Sequence, residues 1–254
     1  MATKTASKTA KTKSRAPNRY VAKLETELNK MVNEQFQSAE FRYLLETPLT
    51  LARARFYTVQ LAFYALNRRD CWAYVQARAP LDVKQAIWHH EEDELIRDSR
   101  GGADHVTLMN REALALGLTE KELVKAQPSP SLKAALLGFS YLASNLPWLG
   151  GLVASHFLER RNNNTLIKSK AGGSAVRWRD RLINELGIDP KKLISTNVHA
   201  VADEEHSDLI WDTISRHVKD EESYKIAVHG ARESAQLDRA VRAAFATGMR
   251  MIAD

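Results

Sequence analysis

The sequence predicts an all-α protein, one compact bundle of about seven to nine helices behind a basic N-terminal tail. Three observations carry that prediction. Glycine and proline are scarce, 11 and 7 in 254 residues, and fall at punctuation points rather than inside runs. Between those points apolar residues recur at three- and four-residue spacing, the mark of a helix with one buried face. No stretch alternates apolar and polar residues as a half-buried strand would, and neither a fixed-period repeat nor a Gly-rich phosphate loop occurs.

The chain opens on a tail, residues 1–19, without an acidic residue. Of the 37 Lys and Arg, six (Lys4, Lys8, Lys11, Lys13, Arg15 and Arg19) fall here, leaving 31 against 31 acidic residues in the body. The net charge of +6 is therefore a property of the tail. A disordered arm is expected, with only non-specific contacts to polyanions. The body, 20–254, reads as one domain. Its first clear helix is 49–77, with Thr47 as N-cap and Pro48 at the first helical position. Further helices are expected over 81–98, 104–116 (capped by Asp104), 131–146, 148–168, 174–186, 195–217 and 219–253. Pro80, Gly101-Gly102, Pro128-Ser129-Pro130, Gly172-Gly173 and Gly187 through Pro190 divide them.

Several function classes drop out. No apolar run reaches the roughly 18 residues of a membrane span. The start lacks the apolar stretch of a secretory signal, although its Ser, Thr and Lys content resembles that of organelle transit peptides. A single cysteine, Cys71, forms no intramolecular disulfide and suits a reducing cytoplasm. The neutral body argues against a specific nucleic-acid reader. The expected partners are a small-molecule substrate and, in a homodimer, a second copy of the chain.

The chemistry begins in "NVHAVADEEHSD", residues 197–208, where His199, Asp203 and His206 stand at i, i+4 and i+7. They share one helical face, and Ile210 and Ile214 continue it. Two imidazoles and a carboxylate suit a first-row transition metal. Alone, the triplet also fits a solvated acidic face beside Glu204 and Glu205, so other helices must supply partners. In "LGGLVASHFLERRNNN" the stripe Leu149, Leu152, Ser155 reaches Glu159, which places a carboxylate on an apolar face. In "VKQAIWHHEEDELIRD" Val83, Ile87 and His90 lead to Glu94, with Glu91 and Asp98 one turn to either side. His105 opens the following helix. Helical di-metal carboxylate proteins project such an inventory inward, although their usual Glu-x-x-His pair is absent here.

The order Glu, His, a distant Glu, then His-x3-Asp-x2-His resembles the heme-oxygenase-like di-metal oxidases, all-helical relatives of the TenA and PqqC proteins. His105 and Glu159 stand 54 residues apart, similar to that family's spacing. The "DEL" at Glu94 and "GADHVTLMNREALALGLTEKEL" resemble its motifs around the first His, and the likeness runs over residues 40–218. The resemblance implies a heme-oxygenase-like bundle with Glu94, His105, Glu159, His199, Asp203 and His206 as metal ligands. Glu91 or Asp98 is the alternative to Glu94. It further implies two Fe(II) ions, with manganese as the alternative metal, and O2 as co-substrate. A peroxo-bridged intermediate would then oxidise or fragment a small amino-acid- or fatty-acid-like molecule. Glu159 is the expected bridge, and the 195–217 helix the expected mobile element around a weakly held second metal. A branch that forms para-aminobenzoate has Tyr where this chain has Leu158.

Around the site, Phe41, Tyr43, Phe56, Tyr57, Trp72, Tyr74, Trp148 and Phe157 are candidates for a pocket wall. Arg55, Arg68 and Arg69 read first as surface charges and second as contacts for a substrate carboxylate. Two enzyme alternatives share the fold. A TenA-type thiamin hydrolase needs a cysteine nucleophile, and Cys71 in "NRRDCWAY" does not resemble that motif; a metal-independent PqqC-like oxidase would not need three carboxylates. A helical interaction module with a nucleic-acid-contacting tail is the non-enzymatic alternative.

Overall fold

A computed structural model describes residues 18–253. They form α1 (Arg19–Gln35), α2 (Ala39–Leu45), α3 (Leu51–Arg78), α4 (Leu81–Glu92), α5 (His105–Ala115), α6 (Glu120–Lys125), α7 (Pro130–Asn145), α8 (Trp148–Arg160), α9 (Ser174–Leu186), α10 (Ile194–His217) and α11 (Glu221–Arg250). A π-turn, Asp93–Arg97, prolongs α4, and a short 3-10 turn, Pro190–Lys192, precedes α10. Among the described residues there is no β-strand, only one isolated bridge from Asp98 to Ala103. The all-α expectation holds.

Side-chain caps open most of the helices, satisfying N–H groups that the first turn leaves orphaned. Asn18, Ser38, Thr50, Asp104, Thr119, Ser129 and Asp220 each accept from a backbone N–H of the turn they begin. At the other end, Gly187 closes α9 in the left-handed region at φ 64°, where a Cβ would be strained.

The observed boundaries correct several sequence expectations. Helix α3 starts at Leu51 with Thr50 as its cap, not at Pro48 behind Thr47. The Thr47 hydroxyl instead donates to Tyr43 O at the end of α2 and accepts from Arg250. Helix α8 ends at Arg160 rather than running to 168. There Asn163 Oδ1 accepts from Thr165 N and Oγ1, and Asn164 Oδ1 from Gly173 N; such side chains compete with the helical ladder. Helix α1 carries Val21, Leu24, Leu28 and Val32 on a narrow buried stripe within a polar sequence. It lies outside the expected helices, as do α2 and α6, and the described residues form eleven α-helices. Arg19, assigned to the tail, is the first residue of α1; residues 1–17 lie outside the described part.

The core is built around α8, whose residues from Leu149 to Arg160 are all buried. Helices α11, α10, α7 and α3 pack on it, and α11 also packs on α7, α2, α1 and α3. The α8–α11 crossing is backbone against backbone. A Cβ on Gly230 would collide with Gly150 O, so position 230 is held to glycine by contact rather than by backbone angle. This crossing leaves α3, α4, α5 and α10 to wall off the space beside the C-terminal turn of α8, where Glu159 sits.

Candidate metal centre

Four parts of the fold converge on that space. The end of α4 and its π-turn bring His90 and Glu94, α5 brings His105, α8 brings Glu159, and α10 brings His199, Asp203 and His206. His199 is half-buried and the rest are buried, which is unusual for so many ionisable side chains. Their ligand atoms form three overlapping sets, each within 4.8 Å: His90, Glu94 and His206; Glu94, His105 and His199; Glu159, Asp203 and His206. All six residues read from the sequence are therefore brought together, and His90 joins them. Glu94, rather than Glu159, is the carboxylate common to two sets.

Each histidine commits one nitrogen to an acceptor outside the cluster. His105 Nε2 lies 3.0 Å from Asp98 Oδ2, and His206 Nε2 lies 3.3 Å from Asp93 Oδ2. His90 Nδ1 lies 2.9 Å from Glu91 Oε1, and His199 Nδ1 lies 2.9 Å from Ser195 O. The remaining nitrogens turn inward. His105 Nδ1 is 2.9 Å and His206 Nδ1 is 3.4 Å from the two oxygens of Glu94. His90 Nε2 and Asp203 Oδ2 are buried without a hydrogen-bond partner among the described residues. Buried polar atoms are seldom left so. Outer acceptors that fix the ring, with the inner nitrogen free, are the arrangement that metal-binding histidines use. The donor set thus fits one or two transition-metal ions.

Charge within the cluster is held by protons and by one arginine. Arg69 Nη1 reaches Glu94 Oε2 at 2.7 Å and Glu91 Oε1 at 3.0 Å. Burial opposes ionisation of Glu94, but Arg69 and His105 outweigh it and hold the carboxyl well below its usual range. Burial likewise opposes charging of His105 and His206, yet Glu94 lifts each to about 9. His90 falls to about 3, through burial and the neighbouring His206. His199 falls to about 4, through burial and His105. Burial and the nearby Glu159 push Asp203 well above the ordinary carboxylate value.

A cavity of about 100 Å³ opens beside these groups, and Glu94, Glu159, His199 and Asp203 form part of its wall. Of the aromatic candidates only Tyr57 lines it, with Tyr64 and Trp178, which sequence reasoning missed. Leu158 lines it where the para-aminobenzoate branch has Tyr. Arg68 and Arg69 are not surface charges. Arg68 is buried and Arg69 half-buried, and both line the cavity, because α5, α7 and α8 pack on α3. Arg55 is half-buried and donates to Leu116 O. Glu204 and Glu205 do not orient the histidines, and Glu205 pairs outward with Arg100. Glu91 and Asp98, the alternatives to Glu94, serve as the outer acceptors. Cys71 is fully buried, its thiol is pushed up by burial, and it is not among the residues lining the cavity.

Residues 55–239 match the model of a family described as iron-containing redox enzyme. The chain belongs to that family. Solved structures agree on the fold, which is heme-oxygenase-like, as the resemblance implied. A domain of unknown function with a heme oxygenase-like fold from Shewanella denitrificans is 15% identical, with a TM-score of 0.72 over 91% of this chain and 94% of its own. A CADD-like protein of unknown function from Nostoc punctiforme is 14% identical, with a TM-score of 0.69 over 90% and 97%. A TenA homolog from Pseudomonas syringae is 12% identical, with a TM-score of 0.65 over 93% and 95%. No curated protein matches the sequence. The buried cluster on α4, α5, α8 and α10 offers donor groups that could hold a metal ion.

Proposed function

We propose that the chain is a non-heme di-iron oxidase or oxygenase that uses O2 to transform a small organic substrate. The observation that carries this reading is the cluster itself, with four imidazoles each anchored outside by one nitrogen and three buried carboxylates facing them. Glu94, His105 and His199 would hold one ion, and Glu159, Asp203 and His206 the other. Glu94, which also groups with His90 and His206, would lie between the two sets beside the Glu159 expected to bridge, and His90 would add a donor next to His206. Iron, or manganese in its place, would supply the electrons that O2 requires.

The chain's own residues do the rest. Three carboxylates offset much of the charge of two divalent ions, so the pair can be buried without a large net charge. Asp98, Asp93 and Glu91 keep each ring turned and each tautomer set, so that the inward nitrogens stay available. His105 and His206 would give up their protons to serve as metal ligands, while Arg69 stays beside Glu91 and Glu94 as a fixed cation. The cavity wall of Leu61, Leu158, Met109 and Trp178 excludes water from the substrate. Glu112 holds the first turn of α10 in place by accepting from Thr196 N at 2.9 Å and from its hydroxyl at 2.5 Å.

The test is metal analysis of the chain purified after expression with added iron, together with O2 uptake by the reduced protein. About two irons per chain and rapid O2 uptake are expected, both lost in His206→Ala with the helical signal retained. Full iron in that variant, or none in the parent, would overturn the reading. Because Cys71 is buried and stands outside the cavity lining, thiaminase-type chemistry through a cysteine is disfavoured.

A further inference from the structure

The cavity that meets the metal-ligand cluster is also lined by three guanidinium groups that the proposed oxygen chemistry does not use. Arg68 comes from α3, Arg161 from the residue after α8, and Arg242 from α11, at 4%, 2% and 2% exposure. One carboxylate serves the last two. Asp238 is fully buried and accepts from Arg242 Nη2 at 2.6 Å and Nε at 3.2 Å; it lies 3.0 Å from Arg161 Nε. It also accepts from Gln35 Nε2 at 2.6 Å and Tyr64 OH at 3.4 Å, so its acceptor capacity is taken up.

Arg68 has no carboxylate within ion-pairing distance among the described residues. Its Nη2 donates to Ser155 O at 3.2 Å, its guanidinium lies over the Phe139 ring at 5.4 Å, and its Nε is buried without a partner. Glu91, a carboxyl that feels its charge, is already paired with Arg69. A guanidinium cannot shed its proton to escape burial, so charge left unpaired there is costly. Within this group alone three buried guanidinium groups are set against one buried carboxylate, Asp238, while Glu94, Glu112, Glu159 and Asp203 line other parts of the same cavity. The planar fork of arginine matches a carboxylate with two parallel hydrogen bonds. Beside it, Tyr57 stacks on Trp178 at 3.7 Å, and Leu61 and Leu158 complete an apolar wall.

We propose that this arginine group is the substrate's anchor: it takes the carboxylate of an organic acid whose apolar body lies against Tyr57 and Trp178 and whose reacting carbon faces the metal-ligand cluster. The proposal rests on the oxidase reading for the direction in which the ligand points, but the anion site stands on its own residues.

Calorimetric titrations with propionate, hexanoate and benzoate, each against its primary amide, test it on the full chain, iron-loaded and metal-depleted in parallel. The acids should bind at least tenfold more tightly than the amides in both forms. Arg68→Gln should weaken the acids tenfold or more while leaving iron content unchanged, since no carboxylate loses its partner in that variant. If Arg68→Gln does not fold, the acid-to-amide comparison on the parent chain decides alone. Equal binding of acids and amides, or no binding of either, overturns the proposal. So does acid binding that needs iron and ignores Arg68, which would seat the carboxylate on the metal. Tighter binding of inorganic phosphate than of every acid would refute the carboxylate assignment. Loss of the acid preference with about two irons retained leaves the di-iron reading standing. Retained acid binding in a chain that takes up no iron does the reverse.

Discussion

Asp203→Asn separates a metal ligand from a structural core residue, because the two roles predict effects of opposite sign. Asp203 is 1% exposed, its Oδ2 has no hydrogen-bond partner, and its ligand atom lies within 4.8 Å of those of Glu159 and His206. Without metal, a buried carboxylate facing another carboxylate is a liability, and its pKa is pushed well above the ordinary 3.8. A carboxyl raised in the folded state stabilises the fold only where it is protonated and costs stability as pH rises past about 4. The amide removes that cost, and its added N–H donors face the carboxylate of Glu159. The metal-free variant should therefore melt at or above the parent, with an advantage that grows from pH ~4 towards neutrality. Iron reverses the order. A ligand at a hundred times its Kd stabilises by about 2.7 kcal/mol. For a chain of this size that is roughly 5 to 10 °C of melting temperature per site. The variant should lose this increment at the Glu159–Asp203–His206 set and hold about one iron fewer. Differential scanning fluorimetry across pH, with and without Fe(II) under anaerobic conditions, reads both effects. A metal-free variant several degrees below the parent, or one with full iron, would show that Asp203 belongs to the core and refute the reasoning.

Other perturbations have equally definite outcomes. Asp98→Asn removes the outer carboxylate from His105 and should weaken metal binding about 10- to 100-fold with the fold intact, as metal titration would show. Asp238→Asn strips Arg161 and Arg242 of their shared partner and should cost about 3–5 kcal/mol in denaturant unfolding. Because Arg161 and Arg242 overcome the opposing effect of burial and hold the Asp238 carboxyl below 3.8, its stabilisation is present above that pH and lost as pH falls through the lower folded value. The parent should thus acid-unfold more steeply than the variant. Gly230→Ala drives a methyl into the α8 backbone and should destabilise by about 1–3 kcal/mol in thermal melts followed by circular dichroism. Deleting residues 1–17 should change neither the melt nor the iron content, since Asn18 remains to cap α1.

The helices are legible from Gly and Pro punctuation and from apolar residues at three- and four-residue spacing. On α4, α8 and α10 the apolar neighbours of Glu94, Glu159 and Asp203 marked the side on which those carboxylates lie. That is enough to bring six candidate ligand residues into one list. Helix α3 is clear as a helix, but which of its charged side chains are buried is not, because α5, α7 and α8 pack around it and leave little amphipathic contrast. Arg68 and Arg69 therefore looked like ordinary surface charges. Asp238 and Arg242 sit on α11, far along the chain from every motif, and only tertiary packing joins them to Arg161. The outer acceptors Asp93, Glu91 and Asp98 were visible as an acidic run, but their assignment to separate imidazoles needed the fold. For α1 the evidence was present in Val21, Leu24, Leu28 and Val32, and was masked by the polar residues between them.

The π-turn at Asp93–Arg97 bears on how related chains are to be compared. A π-turn is an α-helical turn with one residue added, and such turns recur at functional sites. It lies between two fixed points, the regular end of α4 and the Asp104 cap of α5, joined by a loop that the Asp98–Ala103 bridge closes. A residue gained or lost there can be absorbed by the turn without moving either helix. Glu94 precedes His105 by 11 residues in this chain, and that interval is the one free to drift over evolutionary time. The His199, Asp203 and His206 intervals are locked by the pitch of an unbroken helix. An alignment that forces a constant distance to the first carboxylate will pair the wrong residue with Glu94; the register should be taken from α10 and allowed to gap at the π-turn.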